Sequence, residues 1–260
     1  MKVIIVQSDT IWEKTDVNLP SIAGIIEKSN PGQGDLVVLP EMFNTGFSMN
    51  SETLAETMNG KSVSWMKDMA GSGKYALAGS LIIKDEGKYY NRLVVAGGNR
   101  VVATYDKGHL FRMEKENQFF TRGSENVIID HSGFLIKLQI CYDLRFPVWS
   151  RNIDNSYDVL LYVANWPASR RHVWNTLLKA RAIENQCYVI GVNRVGVDGN
   201  GIKYCGDSQI INPRGRIISE LEPDKEGTEQ IELSLQELVK FRKKFPVWED
   251  ADRFKLLRGN

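Results

Sequence analysis

The sequence predicts an α/β domain built on two packed sheets, and three observations predict it. Short β-branched runs alternate with amphipathic segments near the N-terminus, the pattern of parallel strands joined by helices. Later runs follow one another across turn signals, as antiparallel hairpins do. About ten or more such runs fall within 260 residues, with no linker and no internal repeat between them.

The elements follow in order. VIIV (3–6) reads as the first strand, and NLPSIAGIIEKS (18–29) as a helix with Pro20 near its start and NPGQG closing it. DLVVL (35–39) completes strand, helix, strand. SVSWMKDMAG (62–71) reads as a second helix. YALAGSLII (75–83), KYYNRLVVAG (88–97) and RVVATY (100–105) are separated by DEG and GGN, which predict hairpins. VIID (127–130), FLIKLQIC (134–141), DVLLYVAN (158–165), CYVIGVNR (187–194), SQIIN (208–212) and IISEL (217–221) extend the strand series. Pro147 suits the first position of a helix over PVWSRNI. SRRHVWNTLLKARAIENQ (169–186) spaces Val173, Leu177, Ala180 and Ile183 or Ala182 at helical intervals. SLQELVKFRKKF (234–245) does the same with Leu235, Leu238, Val239 and Phe241 or Arg242, so both should cover a sheet face. Residues 1–245 read as one domain. Residues 246–260 carry Trp248, Phe254, Leu256 and Leu257 without periodicity, a tail expected to pack on its own domain or on a partner subunit.

Composition removes several functions. Lys plus Arg (33) against Asp plus Glu (32) leaves a net charge of +1, which supplies no field for nucleic acid or an anionic membrane. No apolar run approaches the ~18 residues of a membrane span, and the run before Gln7 is too short for a signal-peptide core. Three cysteines, an odd number, argue against a disulfide framework and for a cytoplasmic chain with free thiols. His109, His131 and His172 are dispersed, and neither CxxC nor HExxH occurs, so no metal is expected. GKS (60–62) lacks the earlier glycine of a phosphate loop, and GSGKYA (71–76) precedes a strand instead of following one. GDSQI (206–210) lacks the second glycine of a serine elbow.

Three segments remain, each an apolar strand ending directly in a reactive side chain: DLVVLP before Glu41, RVVATYD before Lys107, and FLIKLQI before Cys141. Ligands gather at the carboxyl ends of strands in α/β sheets, so the three can meet at one rim. Alternation in FLIKLQIC sets Leu135, Lys137, Gln139 and Cys141 on the more polar face. A thiol near its reference pKa of about 8.5 needs a base or a cation to react at neutral pH. With no histidine beside a cysteine in a protease pattern, Glu41 is the candidate base and Lys107 the candidate charge for an oxyanion.

LPEMF (39–43), YDKGHLFRMEKE (105–116) and ICYDLRFPVW (140–149) resemble the three signature segments of the nitrilase superfamily of carbon–nitrogen hydrolases. LYVANWPASRRHVWNTLLKARAIENQCYVIGVNRVGVDGNG (161–201) is similar to its omega-amidase branch. The resemblance runs from about Met1 to Trp248. It implies an αββα four-layer sandwich of two mixed sheets flanked by helices, a Glu41–Lys107–Cys141 triad, and a second glutamate after the lysine, Glu116 or Glu114. It also implies no cofactor, a small-molecule amide substrate such as 2-oxoglutaramate or 2-oxosuccinamate, and a homodimer. Alternatives are an N-carbamoyl-amine hydrolase, a deaminated-glutathione amidase, or a non-catalytic binding protein on the same fold; nitrile hydrolysis ranks below these.

Other residues carry weaker signals. Phe43, Tyr142 and Trp166 are candidates for an apolar pocket wall, or for the core. Among Arg145, Arg170 and Arg171, one can bind a substrate carboxylate, and Arg145 is the first candidate. His109 is expected to support the local fold, and Glu184 to pair with a buried partner. Cys187 and Cys205 read as core or loop residues.

Overall fold

In the computed structural model, which describes residues 1–257, the strands are β1 (Lys2–Gln7), β2 (Leu36–Val38), β3 (Ala76–Asp85), β4 (Lys88–Gly97), β5 (Arg100–Asp106), β6 (Ile128–His131) and β7 (Phe134–Ile140). They continue as β8 (Val159–Ala164), β9 (Tyr188–Asn193), β10 (Val195–Val197), β11 (Lys203–Cys205), β12 (Gln209–Ile211) and β13 (Gly227–Glu232). The four longer helices are α1 (Thr15–Ser29), α2 (Lys61–Gly73), α3 (Arg171–Asn185) and α4 (Leu235–Lys244). One sheet has the order β13-β1-β2-β3-β4-β5 and the other β12-β9-β8-β7-β6. Each has a parallel centre, β1-β2-β3 and β7-β8-β9, flanked by antiparallel strands.

Alternation decides the layering. Val3 and Ile5 of β1 face the second sheet, joining Leu36, Val38, Ile136, Leu138 and Ile140 in one core. Ile4 and Val6 face the other way, onto Leu19, Ile22 and Ile26 of α1 and Val63, Met66 and Ala70 of α2. Strands buried on both faces require a covering layer on each. Trp174, Leu178 and Ala182 of α3, with Leu238 of α4, cover the second sheet from outside. The result is a four-layer α-β-β-α sandwich of two mixed sheets.

Several local expectations shift. The helix read from Asn18 begins at Thr15, which places Pro20 inside α1. The buried stripe of α3 is Trp174, Leu178, Arg181, Ala182 and Asn185, one position from the predicted one, and Ile183 is exposed. In α4, Val239 is exposed and Arg242 is buried, because its guanidinium bonds Asp158 (2.8 Å), Tyr157 O (2.7 Å) and Gln186 O (2.9 Å). The helix at Pro147 closes after Ser150. Residues 217–221 form only a bridge, Ile217 to Ile211, while Gly227–Glu232, a polar edge strand without an apolar period, pairs with β1. Beyond the exposed Leu135, the polar face of β7 is buried: Lys137 Nζ donates to Trp149 O at 2.6 Å, and burial pushes its ammonium down to about 8 against the pull of Asp143.

In the tail, Trp248 and Phe254 line a surface hollow with Arg151 and Ile153. Leu256 and Leu257 line another with His109, Phe146 and Val148. Residues 258–260 of the predicted tail lie outside the described residues.

Candidate active site

Strand ends carry the three candidate side chains. Beyond β2 the chain passes Leu39 and Pro40 to Glu41, beyond β5 it reaches Lys107, and beyond β7 it reaches Cys141. Lys107 Nζ lies 2.8 Å from Glu41 Oε1 and 2.9 Å from Glu116 Oε1. All three are essentially inaccessible, and Cys141 is 9% exposed. Glu114, the other candidate for the second glutamate, is exposed on the pocket wall.

Two asparagines complete the cluster. Asn91 Nδ2, from the middle of β4, donates to Glu41 Oε1 at 2.7 Å and to Glu116 Oε1 at 3.3 Å. Asn165, just beyond β8, donates its backbone N–H to Glu41 Oε2 at 2.8 Å and its side chain to Glu41 O at 2.5 Å. Phe111 N–H holds Glu116 Oε2 at 2.5 Å. Each carboxylate oxygen of Glu41 therefore has a donor, as a buried carboxylate requires.

Cys141 opens a 3₁₀ turn, Cys141–Arg145, with φ at 43°, a left-handed conformation unusual for a residue with a side chain. The turn is bolted down by Asp143, which is fully buried. Its carboxylate accepts Ile140 N–H (3.0 Å) and Tyr105 O–H (2.7 Å), and its other oxygen bonds His109 Nδ1 at 2.8 Å. Trp149 Nε1 donates to Tyr105 OH at 3.0 Å, and His109 stacks on Phe146 at 3.7 Å. Arg181 donates to Leu144 O at 2.6 Å and pairs with Glu184 at 2.9 Å, tying α3 to the same turn. The lysine segment and the cysteine turn are thus held together by side chains that do not line the pocket.

Electrostatics follow from burial and crowding. Burial alone would lower the Lys107 ammonium, but Glu116 and Glu41 hold it above the ordinary lysine range, so it stays charged. Burial and the Glu41 charge lift Glu116 above the usual carboxylate range, against the pull of Lys107. Burial pushes the Cys141 thiol well up, and Glu41 and Glu116 add to this against Lys107. The lysine charge is shared by two carboxylates, and burial together with those carboxylates favours the neutral thiol. A neutral thiol needs a base to become a nucleophile, and a carboxylate can serve as one.

A pocket opens over Cys141, with Lys107, Asn165, Tyr142, Arg145 and Trp166 in its lining. Phe43, predicted to join them, does not. It packs against Trp65 (5.7 Å between ring centres) and over Gly79, in the layer between the first sheet and its helices. A Cβ on Gly79 would lie 2.8 Å from the Phe43 ring, so the glycine makes the room. Met42, at φ 44°, turns the chain between Glu41 and Phe43 and sends the ring away from the pocket. Phe47, Phe111 and Tyr204 supply the aromatic wall instead.

The profile of the Carbon-nitrogen hydrolase family matches residues 2–243. The chain belongs to this family. Among carbon–nitrogen hydrolases, it is 43% identical over 256 residues to the omega-amidase YafV of Escherichia coli K12, covering 98% of each chain. It is 34% identical over 248 residues to a 2-oxoglutaramate amidase of Bacillus subtilis, covering 94% of this chain and 95% of that one. A crystal structure of a superfamily member from Xanthomonas campestris, with an arsenic adduct in its active site, superposes with a TM-score of 0.93 at 39% identity, covering 98% of both chains. Among the described residues of this carbon–nitrogen hydrolase, no group of three or more His, Cys, Asp or Glu is arranged to hold a metal, and no helix is long and apolar enough to cross a membrane.

Proposed function

We propose that this chain is an omega-amidase, hydrolysing the terminal amide of a small 2-oxo dicarboxylic acid monoamide, such as 2-oxoglutaramate or 2-oxosuccinamate, and releasing ammonia. The observation that carries the reading is one cluster: Lys107 held between Glu41 and Glu116, beside Cys141, under a pocket whose wall bears Arg145. The names of its full-length relatives support the substrate class.

The chemistry proceeds in two halves. Cys141 Sγ attacks the amide carbon as Glu41 takes the thiol proton, and the carbonyl oxygen becomes an oxyanion held by Lys107 and Tyr142 N–H. Glu41 passes the proton to the amide nitrogen, the C–N bond breaks, and ammonia leaves a thioester. Water then attacks the thioester carbon, giving its proton to Glu41. The second oxyanion collapses, the C–S bond breaks, and Glu41 returns the proton to sulfur. Glu116 orients Lys107 throughout, and Arg145 takes the substrate carboxylate.

Ammonia release across a small panel tests this reading. Turnover of 2-oxoglutaramate should exceed that of an N-carbamoyl amine and of deaminated glutathione by on the order of a hundredfold in kcat/KM, about 3 kcal/mol. A preference for either competitor overturns the omega-amidase assignment.

The same proposal includes a homodimer. Val148 (50% exposed), Leu256 (41%) and Leu257 (78%) line one hollow beside Phe146, and clustered exposed apolar side chains of this kind suit an interaction surface. A two-fold interface would cover this patch on both subunits at once. Light scattering should give about twice the chain mass of 29.5 kDa, and a single-chain mass sinks the dimer.

A further inference from the structure

The three arginines near the site have different surroundings. Arg171 is engaged on both sides of its fork, with Nε on Asp207 Oδ2 at 2.6 Å and Nη2 on Oδ1 at 2.8 Å. Such a bidentate pair leaves little capacity for a ligand. Arg145 and Arg170 both line the pocket over Cys141, and among the described residues neither forms an ion pair. Each guanidinium lies on an aromatic ring instead, Arg145 over Trp166 and Arg170 over Phe111, each 5.2 Å from the ring centre.

Both rings are tied to the carboxylates of the reactive cluster. Phe111 N–H donates to Glu116, and the Phe111 ring meets Tyr142 edge-on at 5.0 Å. Trp166 follows Asn165, whose N–H holds Glu41, and Trp166 Nε1 donates to Arg170 O at 2.9 Å. Arg170 N–H in turn bonds Pro167 O at 3.0 Å, closing the 3₁₀ turn Ala168–Arg170. Backbone bonds thus fix Phe111 and Trp166 relative to Glu116 and Glu41, and each of these two rings carries a guanidinium.

Charge balance gives the pair a task. Lys107 reaches the pocket, but its charge is shared beneath the surface by two buried glutamates, Glu41 and Glu116, so it offers little to the remote end of an anionic substrate. At the wall, two guanidiniums face one exposed carboxylate, Glu114. One half-exposed guanidinium in contact with water discriminates weakly. Two can saturate the four acceptor sites of a carboxylate, or hold the carboxylate and an adjacent 2-oxo oxygen.

We propose that Arg170 is a specificity-determining residue that clamps, with Arg145, the carboxylate remote from the scissile amide, so that the site selects anionic amides over neutral ones. The proposal rests on the amidase reading for its substrate but on the paired guanidiniums for its selectivity. Arg170→Met keeps a long stem over Phe111 and removes the charge. The ratio of kcat/KM for 2-oxoglutaramate to that for neutral pentanamide should fall by on the order of 10- to 100-fold, the range for losing a charge-assisted hydrogen bond. The loss should lie mainly in KM, and Arg170→Lys should restore part of it. An unchanged ratio overturns the clamp. A titration that needs no turnover separates the two hypotheses: 2-oxoglutarate should bind Cys141→Ala at least tenfold more tightly than it binds Cys141→Ala with Arg170→Met. Equal dissociation constants refute the role of Arg170 whether or not the amidase reading holds. Failure of the wild type to release ammonia from either amide, with the difference in binding intact, overturns only the amidase reading.

Discussion

Cys141→Ala is expected to reduce turnover by at least about 10⁴-fold, the scale on which removal of a nucleophile acts, while the protein stays folded. The side chain is small, sits at the pocket floor, and makes a long contact, Sγ to Asn165 O at 3.9 Å, and one to the Glu41 carboxylate. Alanine meets the same backbone conformation at φ 43° that cysteine does, so strain in the turn is unchanged. The bonds that hold the turn belong to Asp143, Tyr105 and His109, none of which is altered. The melting temperature should therefore move by less than about 3 °C, the shift of a change near 1 kcal/mol in a chain of this size. Iodoacetamide should mark Cys141 before the others, because Cys141 is 9% exposed and lines the pocket, whereas Cys187 is fully buried and Cys205 is buried beside Asp207. Substrate should slow that labelling. A variant that keeps turnover, or wild-type inactivation that tracks Cys187 or Cys205, removes Cys141 from the mechanism.

What could be read from the chain follows the range of the forces involved. Glu41, Lys107 and Cys141 were visible because each ends an apolar strand, a pattern local to about seven residues, and because strand ends converge in α/β sheets. Asn91 was not. It is one polar residue inside KYYNRLVVAG, and its partners Glu41 and Glu116 are 50 and 25 residues away. A buried polar side chain declares its role only through its bonds, and those are tertiary. Phe43 shows the converse: nearness in sequence to Glu41 did not decide which way the ring faces, because the left-handed turn at Met42 reverses it. The layers were legible from period-2 alternation, as in Val3 and Ile5 against Ile4 and Val6. Gly227–Glu232 was not, since an edge strand with one half-exposed face and polar side chains is held by its ladder to β1 and carries no apolar period. The α3 stripe slipped by one position because buried Arg181 and Asn185, polar residues bonded to Leu144 O and Asn152 N–H, belong to its inward face.

Glu41→Gln should lower kcat by at least about a hundredfold, and it should move the cysteine in the opposite sense from the rate. Glutamine keeps the shape of the side chain and cannot accept the thiol proton. Its amide also meets a conflict: Lys107 (2.8 Å) and Asn91 (2.7 Å) donate to one oxygen of Glu41 and Asn165 N–H (2.8 Å) to the other, so one donor must face the new NH₂ group. Lys107 keeps Glu116 as a partner and stays in place. Glu41 is one of the groups that push the Cys141 thiol up, after burial, so its charge removed, that thiol should titrate at lower pH than in the wild type. The pH midpoint of iodoacetamide labelling should fall while ammonia release collapses. If Glu41 merely shaped the pocket, turnover would survive in the isosteric variant; if it acted only by keeping the thiol neutral, its removal would leave a more nucleophilic sulfur and a faster first half-reaction. A fall in rate together with an easier thiol ionisation is the combination that a proton-carrying Glu41 requires, because the leaving amine and the attacking water still need the proton transfers that glutamine cannot perform. Retained turnover, or a labelling midpoint that stays or rises, would take that role away from Glu41.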